Sequence, residues 1–459
     1  MKNLSNADKY LKMRREFSFF TYESYSYSFK NDVFFAEFHF NLADQYSFRP
    51  TLSFPARDFY NWENLPEKLI QNIVFHIGMV ELISYWKAAC PSTVIVKPHL
   101  LDKNQIAFWK KIYFNGLGEF FYLNHIQAGM DDFMEIVADT GSKLEKTAIL
   151  TDHSVIVPIG GGKDSVVSLE LLKQSGKDII PLIMNPRGAS LETAEVGGFR
   201  RDEIIEINRS IHPQLLALNE LGFLNGHTPF SAVLAFVTLL AAVFTGKQNI
   251  ALSNESSANE ATVENTNVNH QYSKSYEFEN DFRTYVDTYI TSNIKYFSFL
   301  RPFSELQIAS LFAKYPTYFT GFKSCNAGSK TDVWCCNCPK CLFAFMILSP
   351  FIERKKMVSI FGKDLLDDEN MKLYFDELTG IAKVKPFECV GTVEEVNIAA
   401  TMLIQQIPEA ELPLLLKYYQ NTHDYQQYKK LDSTKFLKAF NKENFLETEF
   451  VEILKQNLK

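Results

Sequence analysis

Hydrophobic and polar positions change their period along this chain, and the changes divide it. Up to about residue 60 aromatic and polar side chains alternate, the pattern of half-buried strands. Residues 17–22 and 33–40 read as strands, with Lys30-Asn31-Asp32 as the turn between them. Over 64–89 the period becomes helical, carried by Leu65, Ile70, Ile73, Val74, Ile77, Val80, Leu82 and Ile83. Another helix is predicted over 103–121, and 138–143 reads as a linker. From His153 onward strand and helix alternate. An apolar strand at 156–159 is followed by a helix over 165–175 that closes at Gly176. Further strands are predicted at 179–184, 203–207 and 249–252, with helices at 213–221 and 230–244 between them, and a helix near 277–290 after them. This alternation predicts a parallel sheet covered by helices, with ligands beyond the carboxyl ends of its strands. Beyond Pro350 the chain is helical and charged. Thr392 and Glu395 have capping-box spacing and open a helix that runs to about 404. The expected class is α/β: a parallel-sheet domain over 151–320, an α+β domain over 1–150 before it, and a cysteine knuckle with a helical region over 321–459 after it.

Composition narrows the class. Net charge is −7 and the pI about 5.8, which argues against non-specific nucleic-acid binding. The 40 phenylalanines read as compositional bias and carry no function. Met1-Lys2-Asn3-Leu4-Ser5 begins no apolar leader. The most apolar stretch, 230–244, is shorter than the roughly 20 residues of a membrane span and reads as a buried helix. Of seven cysteines, five crowd into 325–341, a metal or redox pattern more than a disulfide framework. A cytoplasmic protein without a membrane partner is the expectation; oligomeric state is left open.

Two stretches carry candidate chemistry. Gly160-Gly161-Gly162-Lys163-Asp164-Ser165 joins a strand to a helix. Glycines let the backbone approach an oxyanion, and N–H groups of the first helical turn point at it. Asp164 and Ser165 stand where N-caps are favoured. The loop is no Walker A sequence, since Asp164 follows Lys163. The second stretch is Cys325 with Cys335, Cys338 and Cys341, a C-x2-C-x2-C run with an upstream cysteine. It suits a closed structural site of four thiolates for zinc; an iron–sulfur cluster is the alternative. Cys336 is the odd one out. The loops 253–260 and 268–279 are crowded with polar residues, and the first leaves a strand end as the glycine loop does. His39, His76, His99 and His125 read as ordinary histidines.

The glycine loop resembles the pyrophosphate loop (PP-loop) of ATP pyrophosphatases, Ser-Gly-Gly-x-Asp-Ser, with Gly160 in place of the first serine. With the cysteine cluster, residues 154–345 resemble the PP-loop 7-cyano-7-deazaguanine synthases, of an adenine nucleotide alpha hydrolase-like fold. The whole chain resembles the MurL family of UDP-N-acetylmuramoyl-L-alanyl-L-glutamate epimerases. That likeness is carried by Pro158–Ser165, Asn225-Gly226-His227-Thr228-Pro229, Ser253–Glu260, Val268–Ser275 and Lys385–Thr392. It implies an isomerase of peptidoglycan precursor synthesis that uses ATP and Mg2+. The terminal L-glutamate of UDP-MurNAc-L-Ala-L-Glu would be inverted through carboxylate adenylation, releasing AMP and pyrophosphate. On that reading Gly160, Gly161, Gly162, Lys163 and Ser165 hold pyrophosphate, and Asp164 caps the helix or helps place Mg2+. Asn185 lies near adenosine, and Asn254, Glu255, Asn259 and Glu260 serve the metal or the substrate. Lys274 and Arg301 clamp anionic groups. His270, Lys274 and Cys389 are candidate bases, a choice these residues leave open; a buried apolar role competes for Cys389. A nitrile or amide synthase, a tRNA-modifying PP-loop enzyme and a nucleotide-binding module are the rival readings.

Overall fold

The computed structural model describes residues 4–62, 65–263 and 268–458. Asn64, where the predicted helical pattern starts, and Met1 to Asn3 lie outside the described residues. Among the described residues thirteen strands are present: β1 (Phe19–Lys30), β2 (Val33–Leu42), β3 (Tyr46–Phe48), β4 (Thr51–Pro55), β5 (Thr93–Val96), β6 (His99–Leu100), β7 (Glu135–Val137), β8 (Ser142–Lys143), β9 (Asp152–Pro158), β10 (Ile179–Met184), β11 (Ile205–Arg209), β12 (Lys247–Leu252) and β13 (Lys295–Ser298). Eleven form one mixed sheet in the order β13-β12-β9-β10-β11-β4-β2-β1-β5-β7, with β3 beside β2.

From β13 to β11 every pairing is parallel. The strands β4, β2 and β1 form an antiparallel meander, and β5 and β7 add parallel strands at the far edge. The two regions that the sequence separates at about residue 150 are hydrogen-bonded across β11 and β4, where Asn208 pairs with Ser53. The segment read as a linker is also held, because Ser142 and Lys143 of β8 pair with β6.

Alternation along the parallel strands explains why both faces are covered. Ile156, Leu182 and Ile250 point to one core, Val155, Val157, Ile183 and Ala251 to the other. The first core receives the helices Glu67–Trp86, Phe230–Thr245 and Tyr276–Tyr289; the second receives Lys163–Lys173, Glu305–Phe312, Pro339–Leu348 and Val393–Gln406. The helix Glu67–Trp86 is long and apolar enough to cross a membrane, and 94% of its most apolar window is buried inside the fold. It is a core helix, longer than the 230–244 stretch singled out in the sequence, which remains the more apolar of the two. Phenylalanine has a structural use: the Phe244 ring meets Phe34, Phe54 and Trp62 at 4.9, 5.2 and 4.7 Å between centroids. Such aromatic pairs seal the meander against the buried helix.

In chain order the parallel strands run β9, β10, β11 to one side and β12, β13 to the other. The order therefore reverses between β9 and β12. Crevices at such switch points are where open α/β sheets bind ligands.

Candidate active site beside the glycine loop

A cleft of about 330 Å³ opens at that switch point, lined by Pro158, Leu182, Met184 and Leu252 from the strand ends. Gly160, Gly162, Asp164 and Ser165 form one wall, and Ser324, Cys325, Asn326 and Lys340 form another. The loop conformation follows from its glycines. Gly161 has φ +85°, and a Cβ there would sit 2.7 Å from the Ala189 carbonyl carbon and 2.8 Å from the Ser190 nitrogen. Gly160 has open space where a Cβ would stand. Gly161→Ala is therefore expected to lower stability by about 1–3 kcal/mol, read as a drop in urea midpoint, whereas Gly160→Ala is expected to be tolerated by the fold.

Gly162, not Asp164 or Ser165, is the N-cap of Lys163–Lys173. The reason is the chain's extended backbone at Gly162, which puts Asp164 and Ser165 inside the first turn, where N–H groups have no intrahelical acceptor. Ser165 Oγ donates to Gly162 O at 2.9 Å. Lys163 turns into the protein. Its Nζ contacts Glu305 and lies 2.5 Å from Asp164 Oδ1. Burial alone would lower its pKa; Asp164 and Glu305 outweigh that and hold the ammonium above its usual value. Burial, then the charge of Asp164, raises the Glu305 carboxyl well above the usual range. Glu255, also buried, is raised by its burial and by Asp164 against Lys274.

Other expected residues are placed differently. Asn185 does not line the cleft; its Oδ1 accepts from Arg209 N at 2.8 Å, bracing a left-handed turn of φ 51°. Among 253–260, Ser253 and Asn254 line the cleft. Asn259 Oδ1 accepts from Tyr276 N at 2.8 Å, and Glu260 pairs with Lys385. Arg301 is fully buried. Its guanidinium donates to Glu255 O at 2.6 Å, to Lys274 O, and to Glu279 and Ser298 at 3.1 Å. An anion clamp would have to give up these backbone bonds, so Arg301 fixes the loops rather than a substrate. The cations on the cleft are Arg187, Lys274, Lys323 and Lys340.

The three candidate bases come together. Lys274 Nζ lies 3.2 Å from Cys389 Sγ, and His270 stands near enough to the same sulfur to lower its pKa. Burial would raise the Cys389 pKa; Lys274, then Lys340, then His270 outweigh it and hold the thiol well below its usual value. The flanking cations thus favour the thiolate form of Cys389. Burial would lower His270, but Cys389 and Glu119 raise it to about 9. Lys274 is raised above its usual value: Cys389 and Glu255 overcome its burial. Two neighbours were invisible in the sequence: Glu119, from the short helix Gly118–Leu123, and His227, which stands in a quoted motif without an assigned role. Of the histidines read as ordinary, His76 is a core residue bonded to Asn72 O at 2.7 Å and Tyr285 OH at 2.8 Å, and His99 bonds Tyr25.

The sulfurs of Cys325, Cys335, Cys338 and Cys341 all lie within 4.8 Å of one another. The Cys325–Cys338 and Cys335–Cys341 pairs are 3.9 and 3.7 Å apart. Four sulfurs about 2.3 Å from one tetrahedral zinc stand roughly 3.8 Å apart, so the four fit such an ion. Cys336 points away, 2.9 Å from Phe361 O. The knuckle also holds the glycine loop: Lys323 N donates to Gly161 O at 2.8 Å. Cys338→Ser is expected to remove about one equivalent of bound metal, measured by elemental analysis, and to lower the thermal midpoint.

Comparison with known proteins places these features. Residues 12–299 match the family model of the MurL N-terminal domain, and residues 321–433 that of the MurL C-terminal domain. A protein of Xanthomonas oryzae pv. oryzae named UDP-N-acetyl-alpha-D-muramoyl-L-alanyl-L-glutamate epimerase is 35% identical over 342 residues, 73% of this chain and 75% of its own length. A Micromonospora protein of the same name is 35% identical over 348 residues, 74% and 76% of the two chains.

Proposed function

The chain belongs to the MurL family, and on that premise we propose that it inverts the terminal glutamate of UDP-MurNAc-L-Ala-L-Glu. The observation that carries this reading is the Cys389–Lys274–His270 cluster, which reaches the glycine-loop cleft through Lys274. Inverting a glutamate α-carbon needs a base, and a thiolate held by two cations is one.

The α-proton beside a carboxylate is hardly acidic, since its removal puts a second negative charge next to the first. ATP, when bound, would supply the adenylate that cancels this charge. The fit rests on the open Gly160 corner, the turn N–H groups after Gly162 and the cations Arg187, Lys323 and Lys340 around the cleft. Mg2+ takes oxygen ligands; Asp164 opens on the cleft with Glu255 and Glu305 behind it, both carboxyls raised by burial first and then by Asp164, so a cation at Asp164 would favour their ionised forms. Cys389 would take the α-proton, with Lys274 and His270 stabilising its charged form. Lys274 and Cys389 touch each other, so both serve the same face of the substrate carbon. Lys163 acts from behind the loop by fixing Asp164 and Glu305.

The test supplies ATP, Mg2+ and UDP-MurNAc-L-Ala-L-Glu, then measures AMP and the chirality of the glutamate. In deuterated water the α-carbon must gain deuterium; AMP formation without inversion or exchange would refute an epimerase and point to an amide or nitrile synthase. The rate is also expected to depend on pH with a defined sign. His270 is raised to about 9, so its imidazolium persists through neutral pH and is lost as the pH rises through about 9. Catalysis is expected to fall over that same limb.

A further inference from the structure

We propose that Glu119 is the positioning carboxylate of a Cys389–His270–Glu119 relay, so that residues before the parallel sheet complete the active site. The proposal rests on the epimerase reading for its chemistry and on the geometry of this cluster for its residues. The His270 Nδ1 contacts Glu119 Oε2, and the same imidazole stands near enough to the Cys389 sulfur to favour its ionised form, beside Lys274, whose Nζ is 3.2 Å from that sulfur. A carboxylate on one ring nitrogen fixes the tautomer and ring orientation, and stabilises the imidazolium that faces the thiolate. The three residues come from separate parts of the chain: the helix Gly118–Leu123, the loop before Tyr276–Tyr289 and the segment before Val393–Gln406. All three side chains are largely shielded from solvent, with Glu119 and His270 only 12% and 10% exposed.

A second imidazole shares the carboxylate. His227 Nδ1 lies 3.6 Å from Glu119 Oε2, and its ring centroid is 4.4 Å from that of His270. Two adjacent imidazolium ions on one carboxylate repel, so one ring stays neutral. It is His227, whose pKa burial and then His270 lower to about 4. The carboxylate charge is thereby committed to His270. Other charged groups around the relay are Lys87 beside His227, and Lys274, Lys340 and Glu388 beside Cys389 and His270. In a catalytic cycle the α-proton passes to the Cys389 sulfur. The relay keeps that sulfur unprotonated before the step and returns it to that form afterwards: the abstracted proton leaves to water, a solvent-derived proton is added to the opposite face of the α-carbon, and there is no net change in protons or oxidation state.

Glu119→Gln in the full-length protein tests this. The expected result is a fall in kcat and in α-deuterium incorporation on the order of 10²-fold, with KM changed less than about threefold. The thiolate ultraviolet absorbance assigned to Cys389, taken as the difference from Cys389→Ser, should appear at higher pH, because a less basic His270 supports the thiolate less. Glu119→Asp should restore part of both. Should Glu119→Gln unfold, His270→Asn read in the same absorbance titration replaces it, and an unmoved titration there overturns the proposal. Unchanged kcat and absorbance in a folded Glu119→Gln protein also overturn it. So does a second metal ion per chain that disappears on that substitution, since Glu119, His227 and His270 would then be ligands. Wild-type protein that neither inverts nor exchanges the substrate fails the epimerase reading instead, while the absorbance titration still judges the relay.

Discussion

Cys389→Ser is expected to lower epimerisation and α-deuterium incorporation by roughly 10²–10⁴-fold while leaving the thermal midpoint nearly unchanged. A serine hydroxyl fills the same space but does not ionise under the influence of Lys274, Lys340 and His270, which together hold this thiol well below its usual pKa. The loss should fall on kcat, because the sulfur acts on a proton in flight and not on substrate affinity. Pyrophosphate release, measured separately, should survive in part, since on the proposed reading carboxylate activation would belong to the glycine loop and not to Cys389. Retained inversion in a folded Cys389→Ser protein would remove the thiolate from the mechanism and leave Lys274 as the base.

Lys163→Met is expected to destabilise the protein by about 3–5 kcal/mol, the cost of leaving a buried charge without its partner. Lys163 contacts Glu305 inside the protein, with side chains 8% and 5% exposed. Removing the ammonium leaves Glu305, Asp164 and Glu255 facing one another. The double variant Lys163→Met/Glu305→Met should recover most of the loss, because an apolar pair of similar volume carries no desolvation cost. Urea midpoints of the two variants decide the matter; equal losses would show that the pair does not interact. Lys163 is thus a poor probe of phosphate binding, since it confounds folding with chemistry. Asp164→Asn is the better probe: it keeps the shape of a one-third exposed side chain and should abolish pyrophosphate release in a folded protein.

The placement of Lys163 illustrates what sequence pattern can and cannot convey. Strands such as Ile179–Met184 and helices such as Phe230–Thr245 were legible because burial imposes a period on the side chains. The triple glycine was legible because positive φ and close backbone approach leave few alternatives. Four of five clustered cysteines could be grouped because their spacing is one that four thiolate ligands of a single ion require. Arg301 and Asn185 point elsewhere than expected for one reason: the sequence identifies a polar group near a site but not the direction in which it points. Arg301 donates to the Glu255 and Lys274 carbonyls and to Glu279 and Ser298, and Asn185 Oδ1 accepts from the Arg209 backbone amide.

By itself, then, the sequence determined the alternation of strand and helix, the position of the glycine turn after β9, the cysteine quartet and the family likeness. All are local or near-local features, set by the period of secondary structure, allowed dihedral angles or short ligand spacing. Tertiary structure alone decided that the meander and the parallel strands share one sheet, that Cys389, Lys274 and His270 meet at one sulfur, and that Glu119 joins them across about 150 residues of chain. Long-range pairings leave no periodic trace. A charge pair between distant residues depends on where the sheet and its crossovers carry each segment, and that is settled only when the two cores close on the sheet.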